Sequence, residues 1–179
     1  MKKRILFTVA IMLLSVTTLI AQFNKVSAQT KHYTFTFSTV KVSSSMGVEA
    51  KQIKGKGTVD ICDKKGAAPT ITVTYGKTKK VFKIAKEAYN DGPEEAPCLI
   101  FDEVDGNNHI LFQYSLSLTH FEGEENICFT RAENTGDGLE YWPLLEFWTT
   151  KQESSKNIKT FKQFFNDMKS GKTYSLKMK

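Results

Sequence analysis

Alternation of apolar and polar side chains is the feature that most limits what this chain can fold into. Its clearest case is HILFQYSLSLT at 109–119, where every second residue is apolar: Ile110, Phe112, Tyr114, Leu116 and Leu118. A period of two places alternate side chains on the same face of an extended strand. The pattern therefore predicts an antiparallel strand that is apolar on one side and polar on the other.

The same alternation recurs over most of residues 31–149. It predicts eight strands, at about 31–42, 55–62, 70–75, 78–86, 98–104, 109–119, 126–131 and 139–149. In KNIKTFKQFFNDMKSG the apolar residues change to a helical spacing. This stretch predicts a helix at 156–169 with Gly171 as its C-cap, followed by a short strand-like tail, TYSLKMK.

About eight antiparallel strands and one C-terminal helix packed outside them predict an all-β fold. An up-and-down barrel is the favoured architecture, and a two-sheet β-sandwich is the alternative. The order of elements resembles that of lipocalins and other calycins. The Gly-x-Trp signature of lipocalins is missing, because the corresponding stretch is KHYTFTF. The resemblance is thus one of architecture, and it implies no role for any individual residue.

The N-terminus has the pattern of a secretory signal peptide. Lys2, Lys3 and Arg4 precede an apolar run, and Val26-Ser27-Ala28 is a small-residue cleavage pattern. We predict a signal peptide at 1–28 of bacterial type, with a cut after Ala28 or alternatively after Ala21. A retained anchor is less favoured because the apolar run is short for a span. The predicted mature chain, 29–179, is one domain that is periplasmic or secreted, with no stable membrane span.

Charge argues against a nucleic-acid partner. The whole chain carries a net charge of +6, but four basic residues lie within the predicted signal peptide, which leaves 21 basic against 19 acidic residues. Residues 29–86 contain 12 lysines and 3 acids, residues 87–140 contain 13 acids, and residues 151–179 contain 8 lysines. Such blocks are typical of solvated faces that complement one another in the fold.

Three cysteines follow the predicted cut: Cys62, Cys98 and Cys128. In an oxidising compartment they predict one disulfide, with Cys62–Cys98 favoured and the third thiol buried. If the strands alternate up and down, all three fall at one rim together with His120. Three cysteines and a histidine can also form a tetrahedral zinc site, which is the less favoured alternative.

Motifs of known chemistries are missing from the sequence. It contains no Gly-x-Ser-x-Gly elbow and no His-Glu-x-x-His motif, and both Gly-Lys-Thr triplets lack the upstream glycine of a phosphate-binding loop. The acidic loops NDGPEE, DEVDGNN and ENTGDGLE lack the ligand spacing of a calcium loop. The sequence therefore predicts no catalytic residues, no metal and no cofactor.

The stretch YWPLLEFWTT at 141–150 holds both tryptophans. Strand parity places Trp142, Leu144 and Trp148 on the face opposite the predicted core. We expect this face to be the docking seam for the helix, through Phe161, Phe164 and Phe165. The alternative is a platform for a sugar or another flat ligand.

These observations favour a secreted, non-enzymatic binding protein for a small apolar ligand or an extracellular protein partner. The inward aromatic residues would line or fill the interior: Tyr33, Phe35, Phe37, Phe112 and Tyr114. The alternatives are an interaction or inhibitor module that acts through the acidic loops and, less favoured, an unrecognised hydrolase.

Overall fold

The structure is a computed structural model that describes residues 30–45, 47–121, 123–134, 141–149 and 151–179. For Phe121, Tyr141, Trp142 and residues 151–153 it describes the backbone alone. The predicted signal peptide, 1–28, lies outside the described residues. Residues 31–179 form one compact unit.

Strands dominate the described part of the chain. They are β1 Thr30–Phe37, β2 Thr39–Val42, β3 Lys51–Ile53, β4 Gly57–Lys64, β5 Thr70–Tyr75, β6 Thr78–Lys83, β7 Glu87–Asn90, β8 Cys98–Val104, β9 Ile110–Phe121, β10 Glu124–Asn134, β11 Tyr141–Trp148 and β12 Lys177–Met178. One helix, α1, spans Lys151–Lys169. The all-β prediction with a C-terminal helix is therefore confirmed.

The strands form two sheets. The smaller has the order β1-β4-β5-β6, and the larger has the order β12-β7-β8-β9-β10-β11-β2-β3. Strands β7 to β11 are sequential antiparallel neighbours, as an up-and-down meander predicts, whereas β12 joins β7 in parallel. No closed barrel is found among the described residues. The choice between barrel and sandwich stays a prediction.

The predicted first strand changes sheet in its middle. Residues up to Phe37 belong to the four-stranded sheet, and residues from Thr39 onward belong to the eight-stranded one. Ser38 is the single residue between them. One apolar run therefore supplies side chains to both sheets, and Phe37 and Val40 on either side of Ser38 are fully buried.

Both sheets and the helix contribute to one hydrophobic core. Its largest fully buried side chains are mostly aromatic: Phe35, Phe37, Phe101, Tyr114, Phe129, Phe147, Phe161 and Phe164. Burying such side chains contributes about 1.5–3 kcal/mol each, so this cluster is the main source of stability.

The buried face of α1 is partly polar. Its stripe runs through Ser154, Asn157, Phe161, Phe164 and Met168, at helical spacing. The Asn157 side chain accepts a hydrogen bond from Thr36 N at 3.1 Å and donates to Thr36 O at 2.7 Å. Because β1 is an edge strand, this amide pairs backbone groups that no neighbouring strand reaches.

The predicted C-cap of the helix is confirmed. Gly171 has φ +66°, and its N–H donates to Met168 O at 3.0 Å while Lys172 N donates to Asp167 O at 2.8 Å. This pair of bonds is a Schellman motif, which requires the left-handed backbone that glycine adopts without strain.

The tail beyond the helix is anchored by a buried carboxylate. Asp63 accepts hydrogen bonds from Tyr174 N at 2.6 Å and Ser175 N at 3.1 Å. These bonds direct the chain toward β7, where β12 pairs with it.

Candidate functional site

The five aromatic residues predicted to line or fill the interior pack against other side chains. Tyr33, Phe35, Phe37 and Tyr114 are buried in the core, and Phe112 is partly buried against it. They are core residues in this structure. A ligand among them would have to displace the contacts they already make.

Aromatic rings account for much of that packing. The ring centroid of Tyr33 lies 4.4 Å from that of Phe164, and the centroid of Phe37 lies 5.4 Å from that of Phe147. The second pair is edge-to-face, a favoured geometry for aromatic rings. Helix and strands thus meet through interlocked rings.

An ion pair occupies the part of the interior near Phe112. Arg131 Nη2 lies 3.4 Å from Glu103 Oε2, and Arg131 Nε donates to the Tyr114 hydroxyl at 2.9 Å. The guanidinium carbon lies 3.5 Å from the Phe112 ring centroid and 4.5 Å from that of Phe82. The sequence interpretation assigned Arg131 no role. The sequence feature that could have identified it is that Arg131 is the only arginine after the predicted cut.

Tyr114 links the two charged groups of this cluster. Its hydroxyl donates to Glu103 while it accepts from Arg131. Burial, followed by the hydrogen bond to Glu103, raises the pKa of Tyr114 well above its usual range. The phenol stays protonated, so the cluster is a satisfied polar network within the core.

The residues of the predicted docking seam do not lie together: the helix phenylalanines are in the core, and Trp148 is on the outward face of β11. Phe161 and Phe164 are fully buried, and Phe165 is partly buried and stacked on Phe161 with centroids 6.2 Å apart. Phe164 contacts Tyr33 and Phe101, whose centroid lies 6.1 Å away. The helix therefore packs into the core between strands rather than on the outward face of β11.

Trp148 keeps 41% of its surface exposed. The prediction that the helix buries it is wrong, because the buried side of α1 joins the core face, where Leu145 and Phe147 lie. Leu144 is half-buried on the outward face. The side chain of Trp142 lies outside the described part of the structure.

The predicted disulfide does not form in this structure, since Cys62, Cys98 and Cys128 are all free thiols, although the third thiol, Cys128, is buried as predicted. Cys62 lies on β4 in the four-stranded sheet, while Cys98 and Cys128 lie on β8 and β10 in the other. The expected common rim assumed one continuous meander. The change of sheet after Phe37 breaks that assumption.

Cys98 and Cys128 share a neighbour but cannot bridge directly. Both are paired in register with Ser117 on β9, and Cys98 Sγ lies 2.9 Å from Ser117 Oγ. Two strand spacings separate the backbones, about 9.6 Å. A disulfide needs Cα atoms about 4.4–6.8 Å apart.

The described residues were compared with the patterns of a metal cluster and of a membrane-spanning helix. Within them, no group of three or more His, Cys, Asp or Glu is arranged to hold a metal ion. The alternative zinc site at Cys62, Cys98, Cys128 and His120 is therefore not formed. In the same ranges, no helix has the length and apolar character that crossing a membrane requires.

An open groove of about 540 Å³ surrounds the exposed tryptophan. We call it the Trp148 groove. It is built on the outward face of β2, β11, β10 and β9, and its lining residues are Thr39, Lys41, Thr119, His120, Asn126, Trp148 and Thr149.

Strand register explains how these side chains meet. Trp148 stands directly across from Thr39 on β2 and from Cys128 on β10. Asn126 stands across from Thr119 on the next pair of strands. Directly opposed residues project from the same face, so four neighbouring strands form a rigid support around the indole.

The lining offers several polar groups to a ligand. Thr149 Oγ1 donates to Ile127 O at 3.1 Å, which leaves its oxygen able to accept. Asn126 Nδ2 makes only a long bond, 3.4 Å, to Glu124 O. Among the described residues, none bonds to the hydroxyl of Thr39 or the ammonium of Lys41. The groove therefore combines one broad aromatic face with hydroxyl, amide and ammonium groups that a ligand can reach.

Charges around the groove are mixed. Lys41 is paired in register with Glu146, and His120 Nε2 lies 3.9 Å from Glu125 Oε1. Glu125 is held from the other side by Lys162 at 3.0 Å. Cationic and anionic groups alternate, so the groove has no strong preference for a charged ligand.

The acidic loops are partly neutralised by the helix. Lys169 binds Glu94 at 3.0 Å, just as Lys162 binds Glu125. These contacts join the acidic block at 87–140 to the basic block at 151–179. They reduce the charge that the loops would offer to a partner.

Comparison with protein-family models, with curated proteins and with solved structures finds no match for this chain. The proposals that follow therefore rest on the geometry of its own residues.

Proposed function

We propose that this chain is a secreted binding protein with two packed β-sheets, and that the Trp148 groove is its ligand site. The observation that carries the proposal is an indole that is 41% exposed in a groove on four paired strands, beside hydroxyl and amide side chains. A concave site with a broad apolar surface and a few polar groups is the usual form of a ligand pocket.

A saccharide is the ligand class that fits this lining. A sugar ring has an apolar face of C–H groups, which stacks on a flat aromatic ring, and hydroxyls around its edge. Thr39, Thr149 and Asn126 present hydroxyl and amide groups beside the indole. Mixed charge around the groove favours a neutral saccharide over a strongly acidic one.

The predicted secretory leader supports the same proposal. A periplasmic or exported protein is exposed to polysaccharides and their fragments. The interior is a weaker site for a ligand because its aromatic residues already contact one another. The acidic loops are a weaker site for a protein partner because the lysines of α1 pair with them.

The test is a glycan array followed by calorimetric titration of the best-bound oligosaccharide. We expect Trp148→Ala to weaken binding by about tenfold or more, the loss typical of a central aromatic contact. Leu111→Ala is the matched control, since Leu111 is 42% exposed and lies outside the groove. It should bind as the native chain does.

The same proteins separate the alternatives. Displacement of an apolar dye with equal strength in native chain and Trp148→Ala would move the site to the interior. A salt-sensitive protein partner, retained by Trp148→Ala, would move it to the acidic loops. Either result, without saccharide binding, contradicts the proposal.

A further inference from the structure

A thiol, an imidazole and a carboxylate lie in line on the outward face of the four-stranded sheet. Tyr33 and Ile61 are buried, so the residues before and after them, His32 on β1 and Asp60 and Cys62 on β4, face away from the core. The two strands are neighbours in the sheet. No part of the Trp148 groove is involved.

The distances place the three groups in sequence. Cys62 Sγ lies 3.7 Å from His32 Nε2, which is within the range of a sulfur hydrogen bond. His32 Nδ1 lies 2.9 Å from Asp60 Oδ2. The other carboxylate oxygen, Asp60 Oδ1, accepts from the Thr34 hydroxyl at 2.6 Å. The carboxylate is thus held with one oxygen toward the imidazole.

We propose that Cys62 is a nucleophile for small activated acyl donors, with His32 as its general base and Asp60 as the residue that positions His32. Each ring nitrogen of His32 has a different partner. A carboxylate at Nδ1 keeps the proton there, and this leaves the Nε2 lone pair directed at the thiol. Thiol, base and orienting acid are the three parts that activated cysteines share.

The reaction balances with groups already named. Cys62 Sγ attacks the carbonyl carbon of an ester or thioester, and its proton passes to His32 Nε2. The bond from that carbon to the leaving group breaks, and His32 returns the proton to the departing oxygen or sulfur. Water then hydrolyses the thioester on Cys62, which releases the carboxylic acid and restores the thiol.

The surroundings of Cys62 make a base necessary. Burial raises the pKa of its thiol, the carboxylates of Asp60 and Asp63 raise it further, and Lys64 and the bond from Thr70 partly oppose them. The thiol is therefore protonated near neutral pH. It reacts fast only if a neighbour removes the proton during the attack.

The site favours small substrates. The His32 side chain is 56% exposed, so the site offers little to orient a long acyl chain. An activated carbonyl on a short acyl group needs little orientation. Acetyl esters of a good leaving group are suitable probes.

The chain contains its own comparison groups. His109 Nδ1 lies 3.2 Å from Asp105 Oδ2, which is an exposed imidazole–carboxylate pair with no thiol. Cys98 is a thiol that bonds Ser117 and, in the part of the chain that the structure describes, has no histidine partner. His109→Ala and Cys98 therefore serve as matched controls for the base and for the nucleophile.

The experiment treats the full chain with p-nitrophenyl acetate in the presence of a chelator and follows acetylation of each cysteine by peptide mass spectrometry. We expect Cys62 to be acetylated about tenfold faster than Cys98, a modest fraction of what positioned bases contribute in enzymes. His32→Ala should remove this advantage, added imidazole should restore part of it, and His109→Ala should leave it unchanged.

Asp60→Asn tests the positioning role. It should slow acetylation of Cys62 and change the tautomer of His32 seen in the nitrogen NMR spectrum, while the rate at Cys98 stays constant. Equal rates at Cys62 and Cys98 in the native chain would overturn the proposal. So would a Cys62 rate that His32→Ala leaves unaltered. Neither outcome depends on saccharide binding, so this proposal and the proposed function fail separately.

Discussion

Phe147 and Trp148 are neighbours on β11, yet they lie in opposite environments. Phe147 is fully buried, with ring centroids 5.4 Å from Phe37 and 5.6 Å from Phe129. Trp148 points the other way and keeps 41% of its surface exposed. The alternation of a strand requires one aromatic residue of such a pair to face outward. What distinguishes them is that the helix covers only the inward side.

The helix selects the inward side for polar as well as apolar reasons. Asn157 and Ser154 lie on its buried stripe, and each bonds the backbone of a strand: Thr36 on β1 and Glu125 on β10. Strand β11 has β10 at one edge and β2 at the other, so its backbone groups bond to those strands. It therefore offers no free backbone groups to Ser154 and Asn157. The contrast predicts that Phe147 determines stability and Trp148 determines binding.

Phe147→Ala should cause the largest loss of unfolding free energy. Removing a fully buried phenylalanine costs about 3–5 kcal/mol, from lost burial and from the cavity that remains. Urea unfolding followed by circular dichroism measures the loss. Trp148→Ala should cost far less in the same assay. Equal losses of unfolding free energy at the two positions would contradict the prediction that Phe147, and not Trp148, determines stability.

Asn157→Ala should cause the next largest loss of unfolding free energy. It leaves an N–H and a C=O of Thr36 without their partner, at about 1–3 kcal/mol for each group that water does not reach. Hydrogen exchange at the Thr36 amide should accelerate with the fall in stability. Thr160→Ala is the control, because its hydroxyl bonds only within the helix, to Lys156 O.

An unchanged Thr36 exchange rate in Asn157→Ala would show that the amide does not hold the helix to β1. Packing of Phe161 and Phe164 would then be sufficient to select the inward face.

Much of this architecture could be predicted from alternation. The strands at 70–75 and 98–104 have the predicted bounds, and the parity of β11 correctly placed Trp148 outward. Strands β3 and β7 were missed because three or four residues are too few to show a period, whereas β12 lies within the predicted strand-like tail. Long strands are predictable because each repeats its pattern several times.

The errors had two causes, and the first is that sequence spacing does not report sheet membership. The disulfide prediction required Cys62 and Cys98 to share a rim, but the chain passes from the four-stranded to the eight-stranded sheet between β6 and β7, which leaves them in different sheets. The second is that the docking prediction counted only apolar residues on a helix at 156–169, so Asn157 was given no part in the docking and Ser154 lay before the predicted start of the helix. The His32–Cys62 contact joins residues thirty positions apart, and no local pattern marks it.

Gly57→Ala tests the packing of Phe147 by adding a methyl group where Gly57 contacts it. A Cβ on Gly57 would lie 2.5 Å from both Phe147 Cε1 and Val40 Cγ2, closer than atoms can approach. Neither neighbour is a flexible chain end, so we expect a loss of about 1–3 kcal/mol from overpacking. Thermal unfolding measures it. Gly106→Ala is the control, since nothing lies within 4 Å of its Cβ position.

A Gly57→Ala variant as stable as the native chain would mean that Phe147 and Val40 can move aside. Packing around Phe147 would then tolerate added volume, and the difference in stability expected between the Phe147 and Trp148 positions would be smaller.

The smallest expected effect concerns Cys128, which is paired in register with Trp148 and lies buried beside it. Burial is the main cause that raises the pKa of the Cys128 thiol from 9.0 to about 11. Between these values the unfolded chain has lost a proton that the folded chain keeps. The contribution of Cys128 is therefore complete below about pH 9 and is lost as the pH rises through about 11.

Cys128→Ala should flatten the alkaline fall in unfolding free energy without abolishing it, because burial also raises the pKa of Tyr33, Tyr75 and Tyr114. Urea unfolding at pH 8, 9.5 and 11, which are about one unit below the unfolded pKa, between the two pKa values and at the folded one, measures the slope. Trp148→Ala, which removes no titrating group, should keep the native slope. If Cys128→Ala also keeps it, the thiol titrates normally in the folded chain, and the outward face beside Trp148 is more open to water than its burial indicates.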